Sequence, residues 1–200
     1  MLAIAPGTLE GRRVRLEPLE RSHADQLWEA GKYEQIWTYM STAFHKREDV
    51  DKYLEAALAA REAGTEYPFA IIDKANGQVI GSTRLSNISH RDRGLEIGWT
   101  WLTPAVWKTV VNTECKWLLL RYCFEQLGCI RVQLKTDSRN LNSQRAIERI
   151  GGVREGVLRN HMIVRDGYMR DSVFFSILDR EWPDVDRKLQ SMLTSEPHLG

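Results

Sequence analysis

The stretch LEIGWTWLTPAVWKTVVNTECKWLLLRYCFEQLGCIRVQLKT, running from Leu95 to Thr136, decides the fold. It opens on Leu95 to Leu102, a β-rich run in which Leu95, Ile97, Trp99 and Trp101 share one face and Glu96, Gly98 and Thr100 the other, because side chains alternate along a strand. A helix is expected from about Asn112 to Leu127, with Asn112 as its cap, Glu114 in its first turn and Gly128 just past its end. Cys115, Leu118, Leu119 and Tyr122, continued to Gln126, form its inward stripe at helical spacing. Ile130 to Thr136 then alternates apolar and polar residues, so the stretch reads strand, helix, strand: a βαβ unit with parallel strands.

Upstream, Val14 to Leu16 alternates with charged residues as a first strand closed by Pro18. Ser22 caps a short helix, His23 to Ala30 and Gln35 to Met40 read as two helical pieces, and Arg47 to Ala63 as a longer helix ended by Gly64. Phe69 to Asp73 and Gln78 to Asn87 pair through Asn76-Gly77, a hairpin turn. Downstream, Asn142 to Ile150 is a short helix stopped by Gly151, Val153 to Val164 and Tyr168 to Leu178 form a hairpin through Asp166-Gly167, and the tail from Asp179 to Leu193 is helical in part. No repeat or Pro/Gly/Ser linker divides the chain, so one domain over residues 1–200 is expected.

The 200 residues are 42% hydrophobic and 28% charged, in the range of a cytosolic globular domain. With 28 Lys and Arg against 27 Asp and Glu, no global field gathers nucleic acid or an anionic membrane. No apolar run approaches the roughly 20 residues of a membrane span, and the first residues lack a secretory pattern, so a cytoplasmic protein is expected. Cys115, Cys123 and Cys129 show no ligand or disulfide spacing and read as reduced core thiols, and no metal is expected.

Three motifs follow one another in this frame: WK-x-x-x-N-x-E-x-K from Trp107 to Lys116, D-x-R-N-x-x-S-Q-R-A-x-E from Asp137 to Glu148, and G-x-x-R-E-G-V-L-R from Gly151 to Arg159. Together with GRRVRLEPL at Gly11 to Leu19, they resemble the GNAT acetyltransferases, and within them the branch that acetylates ribosomal-protein alanines. The resemblance implies an α+β fold with a central mixed, mainly antiparallel sheet flanked by helices, in which two parallel strands splay apart to form an acyl-CoA cleft. It implies acetyl-CoA as co-substrate and, as acceptor, a protein N-terminal amine, an amino-acid derivative or an amine-bearing small molecule. A homodimer is compatible with it.

Carried onto this chain, the resemblance places the cofactor diphosphate at the helix start, where unpaired amides and the macrodipole favour anions. The amides from Lys108 through Thr109, Val110, Val111 and Asn112 are the candidates, with Lys108 adding charge. The general phosphate loop of the family, Q/R-x-x-G-x-G/A, is altered: Trp107, Val110 and Asn112 stand at the signature positions, and valine resists a positive φ. Trp101 and Leu102 belong to the cofactor set as part of the splayed strand, whose backbone N–H groups near Trp99 to Trp101 are the expected oxyanion donors. Asn140 matches the family asparagine beside the pantetheine arm, and it also suits a helix cap. Ser143 matches the position near the cofactor sulfur, where a hydroxyl can protonate or hydrogen-bond the departing thiolate. Glu96, on the central strand, is the candidate base that removes the amine proton; an ion pair with Arg84 or Arg93 is the bland alternative. Trp37, Tyr39 and Phe44 read as packing ahead of an acceptor pocket.

Two rival readings remain. One keeps the fold and drops catalysis, leaving an acyl-CoA-binding or protein-interaction module, as the altered loop suggests. The other is RNA association through Arg139, Arg145, Arg149, Arg154 and Arg159, against which the interspersed Glu148 and Glu155 argue.

Overall fold

The computed structural model describes Leu2 and residues 4–195. Its strands are β1 (Leu9–Glu10), β2 (Val14–Pro18), β3 (Tyr67–Asp73), β4 (Gln78–Ser89), β5 (Gly94–Leu102), β6 (Arg131–Asp137), β7 (Val153–Ile163) and β8 (Met169–Leu178). The helices are α1 (Ala24–Gly31), α2 (Arg47–Glu62), α3 (Val111–Arg121), α4 (Leu141–Arg149) and α5 (Trp182–Thr194). All eight strands join one sheet in the order β1-β2-β3-β4-β5-β6-β8-β7. Every neighbouring pair is antiparallel except β5 and β6, the parallel pair that the strand-helix-strand reading requires.

Helices cover the two faces unequally. On one face α3, α4 and α5 bury Val111, Cys115, Leu118, Leu119, Ile147, Val185 and Leu189 against Leu16, Ile71, Leu85, Leu95, Ile97, Val132, Val173, Phe175 and Ile177. On the other, α1 and α2 pack Leu27, Val50, Tyr53, Leu54 and Ala57 on Ala70, Ile72, Val79 and Trp101. None of β6, β7 or β8 contributes to this second cluster, so half of that face carries no helix among the described residues. The side chains on that face are polar except for Phe174: Gln133 and Lys135 on β6, Arg170, Ser172 and Ser176 on β8.

Several boundaries differ from the sequence reading. The helix starts at Val111, with Val110 as its N-cap, so Asn112 lies in the first turn instead of capping it. Its last turn, Tyr122–Gln126, widens to π geometry, which turns Gln126 out to solvent; Gly128 ends it at a φ of 66°, where glycine adopts the left-handed region without steric cost. All three cysteines are free and buried. No described helix is long and apolar enough to cross a membrane.

The start of α3 is anchored by Glu114. Its buried carboxylate accepts the backbone N–H groups of Arg12 (2.6 Å), Arg13 (2.9 Å) and Val14 (2.8 Å), which lashes the β1–β2 turn to the helix. Gly11 is required there, because a Cβ would stand 2.8 Å from the Glu114 carboxyl carbon.

Candidate active site

The site begins with one extra residue in β5. Arg84 pairs with Gly98 and Ser82 with Trp101, so Trp99 and Thr100 together face Thr83: a β-bulge, with Trp99 at a φ of 54°. The bulge breaks the alternation that the sequence suggests. Leu95 and Ile97 lie in the α3 core, but Trp101 crosses to the opposite face and packs with Trp37 (5.1 Å between ring centroids) and Phe44 (5.6 Å). Trp99 also lies on that side, its ring 4.7 Å from the guanidinium carbon of Arg84, which is paired with Glu66 at 2.7 Å.

Below the bulge β5 and β6 part. They pair only from Gly94↔Arg131 to Glu96↔Gln133, after which β5 continues to Leu102 and β6 to Asp137 with no bond between them. The result is a V whose vertex lies at Glu96.

At the open end of β5 the chain makes a 3-10 turn at Pro104–Val106 and enters α3 through Trp107 to Val110. The positive φ that valine resists is adopted by Lys108 (62°), while Val110 stays helical at −65°. Trp107 closes the turn by donating its indole N–H to the Leu102 carbonyl at 2.8 Å. The backbone N–H groups of Lys108, Thr109, Val110 and Asn112 find no acceptor among the described residues, whereas that of Val111 reaches Thr109 Oγ1 at 3.3 Å. Lys108, Thr109 and Val110 border an open cleft of about 310 Å³, lined also by Thr113, Arg149, Ser191, Met192 and Ser195. Arg149 donates to Thr113 Oγ1 at 3.1 Å, so two cations, Lys108 and Arg149, flank a helix start with free amides. That donor set fits a diphosphate.

Glu96 is only 2% exposed. Its carboxylate accepts from Asn87 Nδ2 (2.9 Å), Gln133 Nε2 (2.8 Å) and Lys135 Nζ (2.9 Å to Oε1), so its cation is Lys135 and neither Arg84 nor Arg93. Gly98 makes room for it; a Cβ there would sit 2.9 Å from Oε1. On the far arm of the V, Asn140 Oδ1 caps α4 by accepting the Ser143 N–H at 3.0 Å. Ser143 is half-buried in the first turn of α4, which follows the free end of β6.

Sequence reasoning missed two features. Lys116 Nζ, buried under the bulge, donates to Thr100 Oγ1 at 2.7 Å, and Thr100 in turn meets Thr83 Oγ1 at 2.8 Å. Burial pushes the Lys116 ammonium down to about 8. The second is the polar set around Lys135: His161, whose Nδ1 lies 3.0 Å from Ser172 Oγ, and Arg170. Burial first, then the charges of Lys135 and Arg170, hold the His161 pKa below its ordinary value, against an opposing pull from Glu96. Only the register could have shown these groups together: once Glu96 is opposite Gln133, alternation along β6 and β8 places Lys135 and Ser172 on the same face.

A family model described as "Acetyltransferase (GNAT) domain" matches residues 13–153. A solved structure of a GCN5-related N-acetyltransferase from Brucella melitensis is 35% identical, covers 92% of this chain and 84% of its own, and superposes with a TM-score of 0.86. A "putative acetyltransferase" from T. thermophilus is 37% identical over 94% of this chain and 98% of its own, also at a TM-score of 0.86. A Bacillus subtilis (strain 168) protein named "Putative ribosomal N-acetyltransferase YdaF" is 33% identical over 107 residues, which are 54% of this chain and 57% of that protein.

Proposed function

This chain belongs to the GNAT acetyltransferase family, and from that premise we propose that it moves acetyl from acetyl-CoA directly to a primary amine of a peptide N-terminus, an amino-acid derivative or another amine-bearing small molecule. The observation that carries the reading is the V between β5 and β6, with an amide-lined cleft at the end of one arm.

Acetyl-CoA supplies an activated acyl group on a good leaving thiolate. The free amides from Lys108 to Asn112, aided by Lys108 and Arg149, hold its diphosphate; Val111 contributes through the same loop. The open edge of β5 at Trp101 and Leu102 offers backbone groups to the pantetheine amides, and Asn140 meets the arm from the other side. The acceptor amine enters from the α1–α2 face as a neutral nucleophile, because a protonated amine has no lone pair. As its nitrogen bonds to the thioester carbonyl carbon, the proton it sheds passes to the carboxylate of Glu96, directly or through a water. A backbone N–H of β5 past the bulge stabilises the oxyanion. The carbon–sulfur bond then breaks, and the Ser143 hydroxyl hydrogen-bonds the departing thiolate and relays it a proton from water, recovering its own.

Free-thiol release with acetyl-CoA and an amine panel tests the assignment. Glu96→Gln and Ser143→Ala are each expected to lower kcat about a hundredfold or more, the usual span for losing a general base or acid. Unchanged turnover in both variants contradicts the roles given to them. The three donors on Glu96 favour a second reading, in which it braces the vertex of the V; Glu96→Gln then lowers Tm and leaves kcat intact.

A further inference from the structure

Arg170 projects from β8 onto the face that no helix covers, opposite Val173, Phe175 and Ile177, which pack against the α3 side. It is only 8% exposed, and its guanidinium makes no hydrogen bond or ion pair with any described residue; Nε is fully buried and unpartnered. The nearby carboxylates are already taken. Asp137 is bound by Arg139 through its backbone N–H (2.9 Å), Nε (3.0 Å) and Nη2 (2.7 Å). Glu96 is bound by Asn87, Gln133 and Lys135. Each of these two carboxylates therefore already has its own cation, Lys135 for Glu96 and Arg139 for Asp137, and neither bonds Arg170. The facing His161 adds no anion, and its Nδ1 is engaged with Ser172.

A buried, unpaired guanidinium is costly, and arginine cannot escape the cost by losing its proton as lysine can. Burial does push its pKa down, with Asp137 and Glu96 pulling the other way. Its planar fork of donors matches a carboxylate in two-point geometry. The cofactor cannot supply that anion from its diphosphate end, since the free amides, Lys108 and Arg149 stand on the α3 side of the sheet. Arg170 stands on the acceptor side, beside the free end of β6, where Ser138 N–H meets the Asp171 carbonyl at 2.9 Å. The hairpin tip is tied to the α1–α2 connection by Arg165 Nη2 on the Trp37 carbonyl (2.7 Å), and Arg139 lies 3.6 Å from the Tyr168 ring centroid.

We infer that Arg170 receives a carboxylate carried by the acceptor, so that the preferred substrates are amines bearing an acid group: free amino acids, or peptides with Asp or Glu at the first residues. This rests on the acetyl-transfer reading for its chemistry, but the anion site stands on its own geometry.

The test compares matched acceptors by thiol release: free amino acids against their amides, and peptides beginning with Glu or Asp against those beginning with Gln or Asn. Wild type is expected to favour the acid member at least tenfold in kcat/KM, through KM, and the pair that shows the preference identifies the source of the carboxylate. In Arg170→Gln the acid-to-amide ratio falls close to one. Arg170→Met is expected to raise Tm, since it removes an uncompensated buried charge, whereas a structural arginine would lower it. Binding of the N-acetyl-amino acid and its amide, measured by calorimetry without turnover, separates the two readings. No thiol release from any amine, with acid binding still dependent on Arg170, sinks the transferase reading alone. Equal kcat/KM for acids and amides, or a preference unchanged in Arg170→Gln, overturns the carboxylate site while leaving acetyl transfer in place.

Discussion

Lys108 shows how a residue resolves what a motif leaves in conflict. Valine at position 110 resists the left-handed conformation, and the chain puts that conformation two residues earlier, on a lysine whose unbranched side chain tolerates it better. The motif spacing was legible in the sequence; the shift was not, because backbone strain is settled by the turn as a whole. Lys116 gives a residue-level prediction. Its folded pKa of about 8 lies below its ordinary value of 10.5, so unfolding takes up a proton between those pH values and stability rises with pH across that window. At pH 7 both states are charged and the folded state bears the desolvation. Lys116→Met is therefore expected to be the more stable protein at pH 7, with the gap narrowing by a few kcal/mol at most as pH climbs from 8 to 10.5. Paired denaturant titrations of both proteins check it, with Cys115 changed to Ala in both so that the neighbouring thiol, which Lys116 itself influences, does not titrate. A gap independent of pH would show that Lys116 is not held in a low-dielectric site.

Among the elements, the helix from Val111 was legible because apolar periodicity, an acidic first turn and a terminal glycine agreed. β5 was legible as a strand but not as a bulged one: residues 95–102 alternate without a break in sequence, and only pairing with β4 reveals the extra residue that sends Trp101 to the other core. The partners of Glu96 were hidden for the same reason, since Lys135 is 39 residues away and meets it only through register. Glu114 was read as a helix-dipole residue, yet its larger task is to hold the β1–β2 turn. Glu114→Ala leaves three backbone donors without their acceptor, and a loss of about 3 kcal/mol or more is expected. Chemical denaturation measures it; a loss below about 0.5 kcal/mol would mean that water replaces the carboxylate without penalty.

Over the whole molecule, one parallel pair in an otherwise antiparallel sheet creates the working geometry. The βαβ crossover forces β5 and β6 side by side, the bulge separates their ends, and α3 delivers its unpaired amides to the end of one arm. The unequal helix cover does the rest, with the free helix-start amides on the α3 side and the polar cluster on the half of the opposite face that no described helix covers. The order of elements and the fold were readable because each has its own local signal. The polar cluster was not, because it is assembled from single side chains on β5, β6, β7 and β8 whose meeting depends on pairing alone.

The central claim, that the Lys108–Asn112 loop at the mouth of the V grips a diphosphate, is tested most directly by calorimetric titration of acetyl-CoA against S-acetylpantetheine, which has the same thioester and arm but no diphosphate or nucleotide. Acetyl-CoA is predicted to bind about a hundredfold more tightly, as the loss of several charge-assisted bonds implies. Equal affinities, or no binding of acetyl-CoA, would contradict it.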